Sequence, residues 1–113
     1  MKRIALALTL LPLAAAAETR CGWVDNPTPG NWWLTDRDGE WTLSLQGVMP
    51  TNNWDVVDIP AFTDWVRTNG SYGYGCGCFE GTVDWQTGWA RWLSSVRALP
   101  LSRCREDRAL PRR

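Results

Sequence analysis

Apolar and polar residues alternate along residues 32–45, and this alternation predicts a pair of antiparallel strands. Asp38-Gly39 interrupts the pattern and is a strong two-residue hairpin signal, because both positions of that turn type favour positive φ. Pairing outward from this turn places Leu34 opposite Leu43, on the face that we expect to be buried. The residues of that face are Trp32, Leu34, Asp36, Trp41, Leu43 and Leu45.

Four tryptophans are candidate contact residues for a binding partner. Trp33 falls on the other face of the predicted hairpin, among polar side chains. Residues 47–61 predict a mobile loop with Trp54 at its tip, and a short strand over 55–57 is the alternative. Exposed tryptophans stack on sugars or anchor protein partners, and the basic tail would assist the contact. The candidates are Trp33, Trp54 and one of Trp89 or Trp92.

Two further hairpins are predicted towards the C terminus. Asn69-Gly70 is a second type I′ turn signal, and alternating glycines follow it in SYGYGCGC. Such a glycine stripe marks close approach by a large group. We expect that group to be a tryptophan of this chain, with a ligand as the alternative. Gln86-Thr87-Gly88 predicts the third hairpin, although residues 89–99 also fit a helical stripe, and a helical turn is expected around Cys104.

The N-terminal segment predicts export. Lys2-Arg3 precedes an apolar run that ends in small residues suited to cleavage. The run is too short to span a bilayer comfortably, so a membrane anchor is the weaker alternative. We therefore expect a signal peptide over residues 1–17, which is removed, and one small domain over residues 18–113. The expected location is the periplasm or the exterior, without a lipid anchor.

The chain has four cysteines, which in an exported protein predict a disulfide framework. Cys76 and Cys78 are two residues apart, too close for easy bridging in an extended chain. Two pairings remain open: Cys21–Cys76 with Cys78–Cys104, or Cys21–Cys78 with Cys76–Cys104. The chain contains no His, so we expect no zinc site, and we expect no cofactor.

The sequence offers little for catalysis. The absence of His removes the commonest general base. Asp36, Asp38 and Glu40 cluster at the first predicted turn, but a hairpin tip seldom provides the enclosed cleft that catalysis needs. We expect a non-catalytic protein. A small carboxylate-dependent enzyme and a structural envelope component remain the alternatives.

Charge is unevenly distributed along the chain. Without Lys2 and Arg3, ten basic residues face twelve acidic ones, a net charge of −2. Residues 97–113 hold six Arg against two acids, whereas residues 18–96 hold four Arg against ten acids. We expect the tail to be a solvated arm, and docking on an anionic envelope polymer or surface is the alternative. No nucleic-acid partner is expected.

Three segments in combination resemble a known family. CGWVDNPTPGNWWLTDRDGEW, RTNGSYGYGCGC and LPLSRCRED look like the domain-of-unknown-function family numbered 4087, which consists of small exported bacterial proteins. The resemblance covers nearly all of the chain after the signal segment and is less clear over residues 48–62 and 85–92. It implies export and a four-cysteine scaffold. It implies no activity, so no catalytic or binding residue is carried over.

These observations together predict a mostly β fold: a small disulfide-stapled antiparallel sheet of hairpins, with a short C-terminal helix as a further element. The predicted function is a periplasmic binding module. Its partner would be an envelope glycan or a protein, such as an enzyme to be inhibited.

Overall fold

A computed structural model describes residues 16–113 as a six-stranded antiparallel sheet with one short helix. The mostly β, disulfide-linked fold is thus confirmed. All but the last two residues of the predicted signal peptide lie outside the described part of the chain. Within residues 16–113, no helix combines the length and the apolar character that crossing a membrane requires. The elements are β1 (Glu18–Thr28), β2 (Asn31–Asp36), β3 (Gly39–Ser44), β4 (Val66–Asn69), β5 (Tyr72–Val83), β6 (Ala90–Leu99) and α1 (Leu101–Arg105).

The sheet is built around the long pair formed by β1 and β5. Its strand order is β3-β2-β1-β5-β4. β5 is long enough to pair with two strands: β4 pairs with its first part, residues 72–74, and β6 pairs with residues 76–83. The far edge, β3, meets the segment that leads into β6: Thr42 N donates to Gly88 O at 2.7 Å, and Thr42 forms a bridge with Trp89. The sheet therefore curls, and one of its faces is enclosed.

The enclosed inner face carries the main core, because alternate residues of each strand point inward. Val24, Leu34 and Phe79 are at most 2% exposed there. Residues between β3 and β4 cover the open side of the curl and contribute Trp54. The buried cluster consists of Val24, Leu34, Trp41, Leu43, Trp54, Phe79, Ala90 and Leu93.

Trp54 was predicted at an exposed loop tip, and that prediction is wrong. Its side chain is 7% exposed, because two neighbouring asparagines tie the loop to the sheet. Asn52 Nδ2 donates to the carbonyls of Leu43 and Ala90 at 3.0 and 2.8 Å. The Asn53 amide donates to Leu93 O at 2.6 Å and accepts from Leu93 N at 2.8 Å. Residues 55–57 form turns rather than the alternative strand.

A second, smaller core lies on the outer face of the sheet. Trp23 is 0% exposed, since α1 and the C-terminal segment cover it. Its Nε1 donates to Pro111 O at 2.7 Å. Arg113 Nη2 donates to Asp25 Oδ2 at 2.9 Å, and its guanidinium carbon lies 5.0 Å from the centre of the Tyr74 ring. The prediction of a solvated C-terminal arm is therefore wrong, because the segment packs on β1 and β5.

The disulfides are Cys21–Cys78 and Cys76–Cys104, the second of the two predicted pairings. Cys21 lies directly opposite Cys78 in the register of β1 and β5. Cys104 is carried by α1, which confirms the predicted helical turn around that residue. The two bridges close loops with sequence separations of 57 and 28 residues. In the chain-entropy model they contribute about 4.2 and about 3.6 kcal/mol, respectively.

The first hairpin forms with a different register from the predicted one. Asp36 pairs with Gly39, so the turn residues are Arg37 and Asp38. Asp38 has no positive φ, and its backbone N–H instead donates to Asp36 Oδ1 at 2.8 Å. Near the turn the pairing is displaced by two residues. A displacement of two leaves the side chains between Trp33 and Thr42 on their predicted faces, which is why Leu34 and Trp41 were correctly assigned to the buried face.

The other two hairpins also form. In the second, Asn69 pairs with Tyr72, so Gly70 and Ser71 are the turn residues. Gly70 has φ +60°, whereas no non-glycine residue among those described has positive φ, so the predicted type I′ turn at Asn69-Gly70 is wrong. In the third, the segment predicted as strand or helix is the strand β6, paired with β5.

Candidate functional site: an uncharged aromatic groove

A groove lined by aromatic rings lies at one end of the enclosed face. Its volume is about 330 Å³. The rings of Trp32, Phe62 and Trp65 form its apolar part, and all three are only partly buried. None of the residues that line the groove is charged. They are Asn26, Trp32, Ile59, Pro60, Phe62, Trp65 and Ser71.

The three rings are held in place by contacts with one another and with the core. Trp32 packs on Trp54, with 5.3 Å between ring centres. The Phe62 and Trp65 rings are also 5.3 Å apart, and each is 6.4 Å from the Trp32 ring. Trp65 Nε1 donates to Ser71 O at 3.2 Å, which fixes the orientation of the indole. The groove is therefore largely pre-formed.

Glycines of β5 let these rings approach the sheet. A Cβ atom at Gly75 would lie 2.8 Å from Cε3 of Trp65, and one at Gly77 would lie 3.1 Å from Cε1 of Phe62. A larger residue at Gly75 would displace the Trp65 ring, whereas one at Gly77 would first meet the Arg97 carbonyl oxygen, 2.6 Å from its Cβ. The glycine stripe thus accommodates tryptophan and phenylalanine of the same chain, which confirms the expectation of internal packing.

Polar groups border the rings. Asn26 is 8% exposed, and its Nδ2 donates to the carbonyls of Thr28 and Asn31 at 3.0 and 2.9 Å. These two bonds use the amide donors and leave Oδ1 as the remaining acceptor of the side chain. The hydroxyl of Ser71, an exposed residue, provides a donor at the rim. The groove can thus contact apolar faces and form hydrogen bonds, but it offers no acid, base or nucleophile of ordinary catalytic type.

The four tryptophans predicted as contact residues do not form one site. Trp33 and Trp89 are half-buried and both pair with Thr42, Trp33 across β2 and β3 and Trp89 through the bridge. Trp92 is 56% exposed and pairs with Thr82, far along β5. Trp54 is buried in the main core, so the four side chains do not share one exposed surface.

The carboxylates predicted as an alternative catalytic cluster surround a buried arginine instead. Arg20 Nη1 donates to Asp36 Oδ2 and to Asp38 Oδ2, both at 2.9 Å. Its Nη2 donates to Glu18 Oε2 at 2.6 Å. Glu40, the third predicted carboxylate, is exposed and makes no ion pair among the described residues. Asp36 and Asp38 are thus held by a cation.

Two aromatic rings complete the surroundings of Arg20. The guanidinium carbon lies 4.5 Å from the centre of the Trp41 ring and 4.9 Å from that of Trp85. Burial lowers the pKa of Arg20, but hydrogen bonds to Asp36 and Asp38 and the nearby negative charges raise the pKa above its ordinary value. The guanidinium is therefore charged throughout the physiological range, and the stability that comes from its raised pKa is lost as the pH rises through that pKa.

Sequence reasoning missed the groove. Trp32 was predicted on the buried face of the first hairpin, and the sequence pattern indicated no binding role for Phe62 or Trp65. The glycines of β5 carried the relevant signal, because a large group had to lie against them. The glycines predicted that a large side chain packs against β5, but they did not indicate which segment of the chain supplies it.

The curled sheet, the two disulfides and the aromatic groove define a small disulfide-linked β protein. Over residues 15–111 the chain matches the model of the family described as Protein of unknown function (DUF4087). The chain belongs to that family, as the resemblance in its sequence indicated. No curated protein and no solved structure matches it.

Proposed function

We propose that the protein is an exported, non-catalytic binding module that holds a short neutral segment of an envelope glycan in the aromatic groove. The observation that carries this proposal is the groove itself, which is pre-formed, aromatic and without a charged lining residue. The two disulfides support export, because such bonds persist in oxidising compartments.

A neutral sugar suits the chemistry of the groove. Sugar rings have apolar C–H faces and hydroxyl edges. The rings of Trp32 and Trp65 offer flat apolar surfaces for those faces. Asn26 Oδ1 and the Ser71 hydroxyl offer an acceptor and a donor for the edges. The absence of a charged lining group disfavours an ionic ligand, because nothing would compensate for removing its charge from water.

The surroundings of the carboxylates support a non-catalytic role. Asp36 and Asp38, which a small hydrolase would use, bind the guanidinium of Arg20. The groove contains neither of them and no other carboxylate. A catalytic pair would need free carboxyl groups on both sides of a bound substrate.

Intrinsic tryptophan fluorescence tests the proposal. We expect a tetramer of N-acetylglucosamine, which is a neutral glycan, to quench or blue-shift the emission with saturation. Trp65→Ala should weaken the affinity by at least about 30-fold, as expected for a central aromatic contact. Trp92→Ala is the matched control, because that exposed tryptophan lies outside the groove, and it should leave the affinity unchanged. Equal affinity of Trp65→Ala and the unsubstituted protein would contradict the proposal.

A protein partner is the second candidate, and it is favoured by a different surface. Trp92 and Val56, which are 56% and 80% exposed, border a groove of about 540 Å³ between β6 and the loop around Asn53. Exposed tryptophans are enriched among residues that anchor protein interfaces. In that case Trp92→Ala, rather than Trp65→Ala, would abolish binding of the partner.

A further inference from the structure

The outer face of the sheet carries a group of arginines without ion-pair partners. Within residues 16–113, ion pairs hold Arg20, Arg37, Arg91 and Arg113. The remaining arginines of the C-terminal part are exposed and have no carboxylate within 4.0 Å. We call them the arginine patch: Arg97, Arg103, Arg105, Arg108 and Arg112.

Covalent and polar contacts hold the segment that carries the patch against the sheet. Arg97 pairs with Cys78 in β5, and Cys104 is bonded to Cys76 two residues away. Further along, Leu110 is 8% exposed, and Pro111 O accepts the hydrogen bond from Trp23. All these anchors lie alongside residues 74–78 of β5, which span about 13 Å at 3.3 Å per residue. The arginine side chains are therefore concentrated over a small area.

The patch is positive although the chain after its signal segment is negative overall. Five arginines of residues 97–112 face two acids, Glu106 and Asp107, which gives 5 − 2 = +3. Residues 18–96 give 4 − 10 = −6. The Asp107 side chain caps a local turn, since its Oδ1 accepts a hydrogen bond from Ala109 N at 2.9 Å. Basic and acidic residues are thus separated along the sequence, and a face that carries the basic ones would orient the molecule in front of an anionic surface.

We propose that the arginine patch docks the protein on an anionic phospholipid surface. Guanidinium groups bind phosphate through paired hydrogen bonds, and each basic side chain near an anionic membrane strengthens the attachment. The cavity that Arg103 lines is about 70 Å³, well below the 300 Å³ or more that is usual for a ligand pocket. Trp92 is exposed on the same outer face of β6, and tryptophan is enriched at membrane–water interfaces. These features favour an extended surface over a small soluble anion.

Docking through this face leaves the aromatic groove open. Trp32 and Phe62 belong to the inner face of the curl, where they pack against the main core. The arginine patch lies on the outer face, over the smaller core around Trp23. Membrane attachment and ligand binding therefore use opposite sides of the sheet, and neither depends on the other.

Vesicle cosedimentation of the oxidised chain tests the docking. We expect binding to vesicles that contain phosphatidylglycerol, no binding to pure phosphatidylcholine vesicles, and loss of binding at high salt. The triple variant Arg105→Gln/Arg108→Gln/Arg112→Gln should bind about 100-fold more weakly, given about fivefold per basic residue at the surface. The control Arg37→Gln/Arg67→Gln/Arg91→Gln removes the same charge from exposed positions elsewhere and should bind nearly as well as the unsubstituted protein.

Three results would overturn the proposal. The first is an equal loss in both triple variants, which would mean that net charge alone governs the attachment. The second is equal binding to neutral vesicles. The third is binding to soluble polyphosphate without binding to phosphatidylglycerol vesicles, which would assign the patch to an anionic polymer. All substituted side chains are exposed, so unchanged circular dichroism should accompany each measurement.

Discussion

Aromatic rings gather at both ends of the inner face, yet one end is filled and the other is open. At the first end, Trp41 and Trp85 enclose the guanidinium of Arg20. At the second, Trp32 and Trp65 border a groove of about 330 Å³. β1 connects the two, with Arg20 near its start and Asn26 near its end.

The difference shows what a cluster of tryptophans does in so small a protein. Where the chain supplies its own cation, two rings and the surrounding carboxylates contact it and fill the space between them. Where it supplies none, the rings brace one another and leave part of their surface to solvent. The filled end should therefore govern stability, and the open end should govern binding. Substitutions at each end can test this division.

The largest effect is expected at the filled end. Arg20→Gln removes the cation from Asp36, whose side chain is 5% exposed, and so leaves a buried carboxylate without its charged partner. We expect the free energy of unfolding to fall by about 3–5 kcal/mol, measured by urea denaturation. Arg67→Gln, at an exposed position of β4, should change it by less than about 0.5 kcal/mol. If Arg20→Gln lowers the free energy of unfolding by less than about 1 kcal/mol, the filled end does not govern stability.

An intermediate effect is expected beneath the open end. Gly75→Ala places a methyl group where Cε3 of Trp65 would be 2.8 Å away, so the ring has to move. We expect a cost of about 1–3 kcal/mol, typical of overpacking, and a weaker affinity for the glycan probe. A double-mutant cycle identifies the obstacle: the cost should fall below about 1 kcal/mol when Trp65→Ala is already present. The same cost in both backgrounds would show that Trp65 is not the ring displaced.

The smallest effect is expected at the exposed side of the filled end. Trp85 is 62% exposed and provides one of the two rings beside Arg20. Trp85→Ala should cost about 0.5–1 kcal/mol, the contribution of a cation–π contact at an exposed site. Thermal unfolding of Trp85→Ala and Trp92→Ala compares two exposed tryptophans that differ in this contact. Equal shifts in Tm would mean that the Trp85 ring does not stabilise the guanidinium.

Local patterns in the sequence predicted much of the fold. The period-two alternation of β2 and β3 assigned Leu34 and Trp41 to the core, even though the register near the turn was displaced by two residues. The short connections predicted three hairpins, because few residues can close such turns. The cysteine pairing stayed undecided, since Cys76 and Cys78 lie on the same face of β5 and either could receive either partner.

Contacts between distant segments could not be predicted. β1 has no clear alternation because both of its faces are covered, the outer one by the C-terminal segment 88 residues away. The asparagine amides that bury Trp54 act on β3 and β6 through side chains, which leave no periodic pattern. The aromatic groove likewise combines Trp32 of β2 with Trp65 from the segment before β4. Each of these features depends on how the sheet curls, which is a property of the whole fold.

The neighbouring positions of Cys76 and Cys78 have a consequence for oxidative folding. One exchange of partners between these two sulfurs converts the native bridges into the rival set. Cys21 lies opposite Cys78 only when β1 is paired with β5 in the native register, so formation of the Cys21–Cys78 bridge depends on that register. Chains that oxidise before the strands align would keep non-native bridges until a thiolate attacks and rearranges them. The yield of correctly folded protein should therefore depend on a thiol–disulfide isomerase.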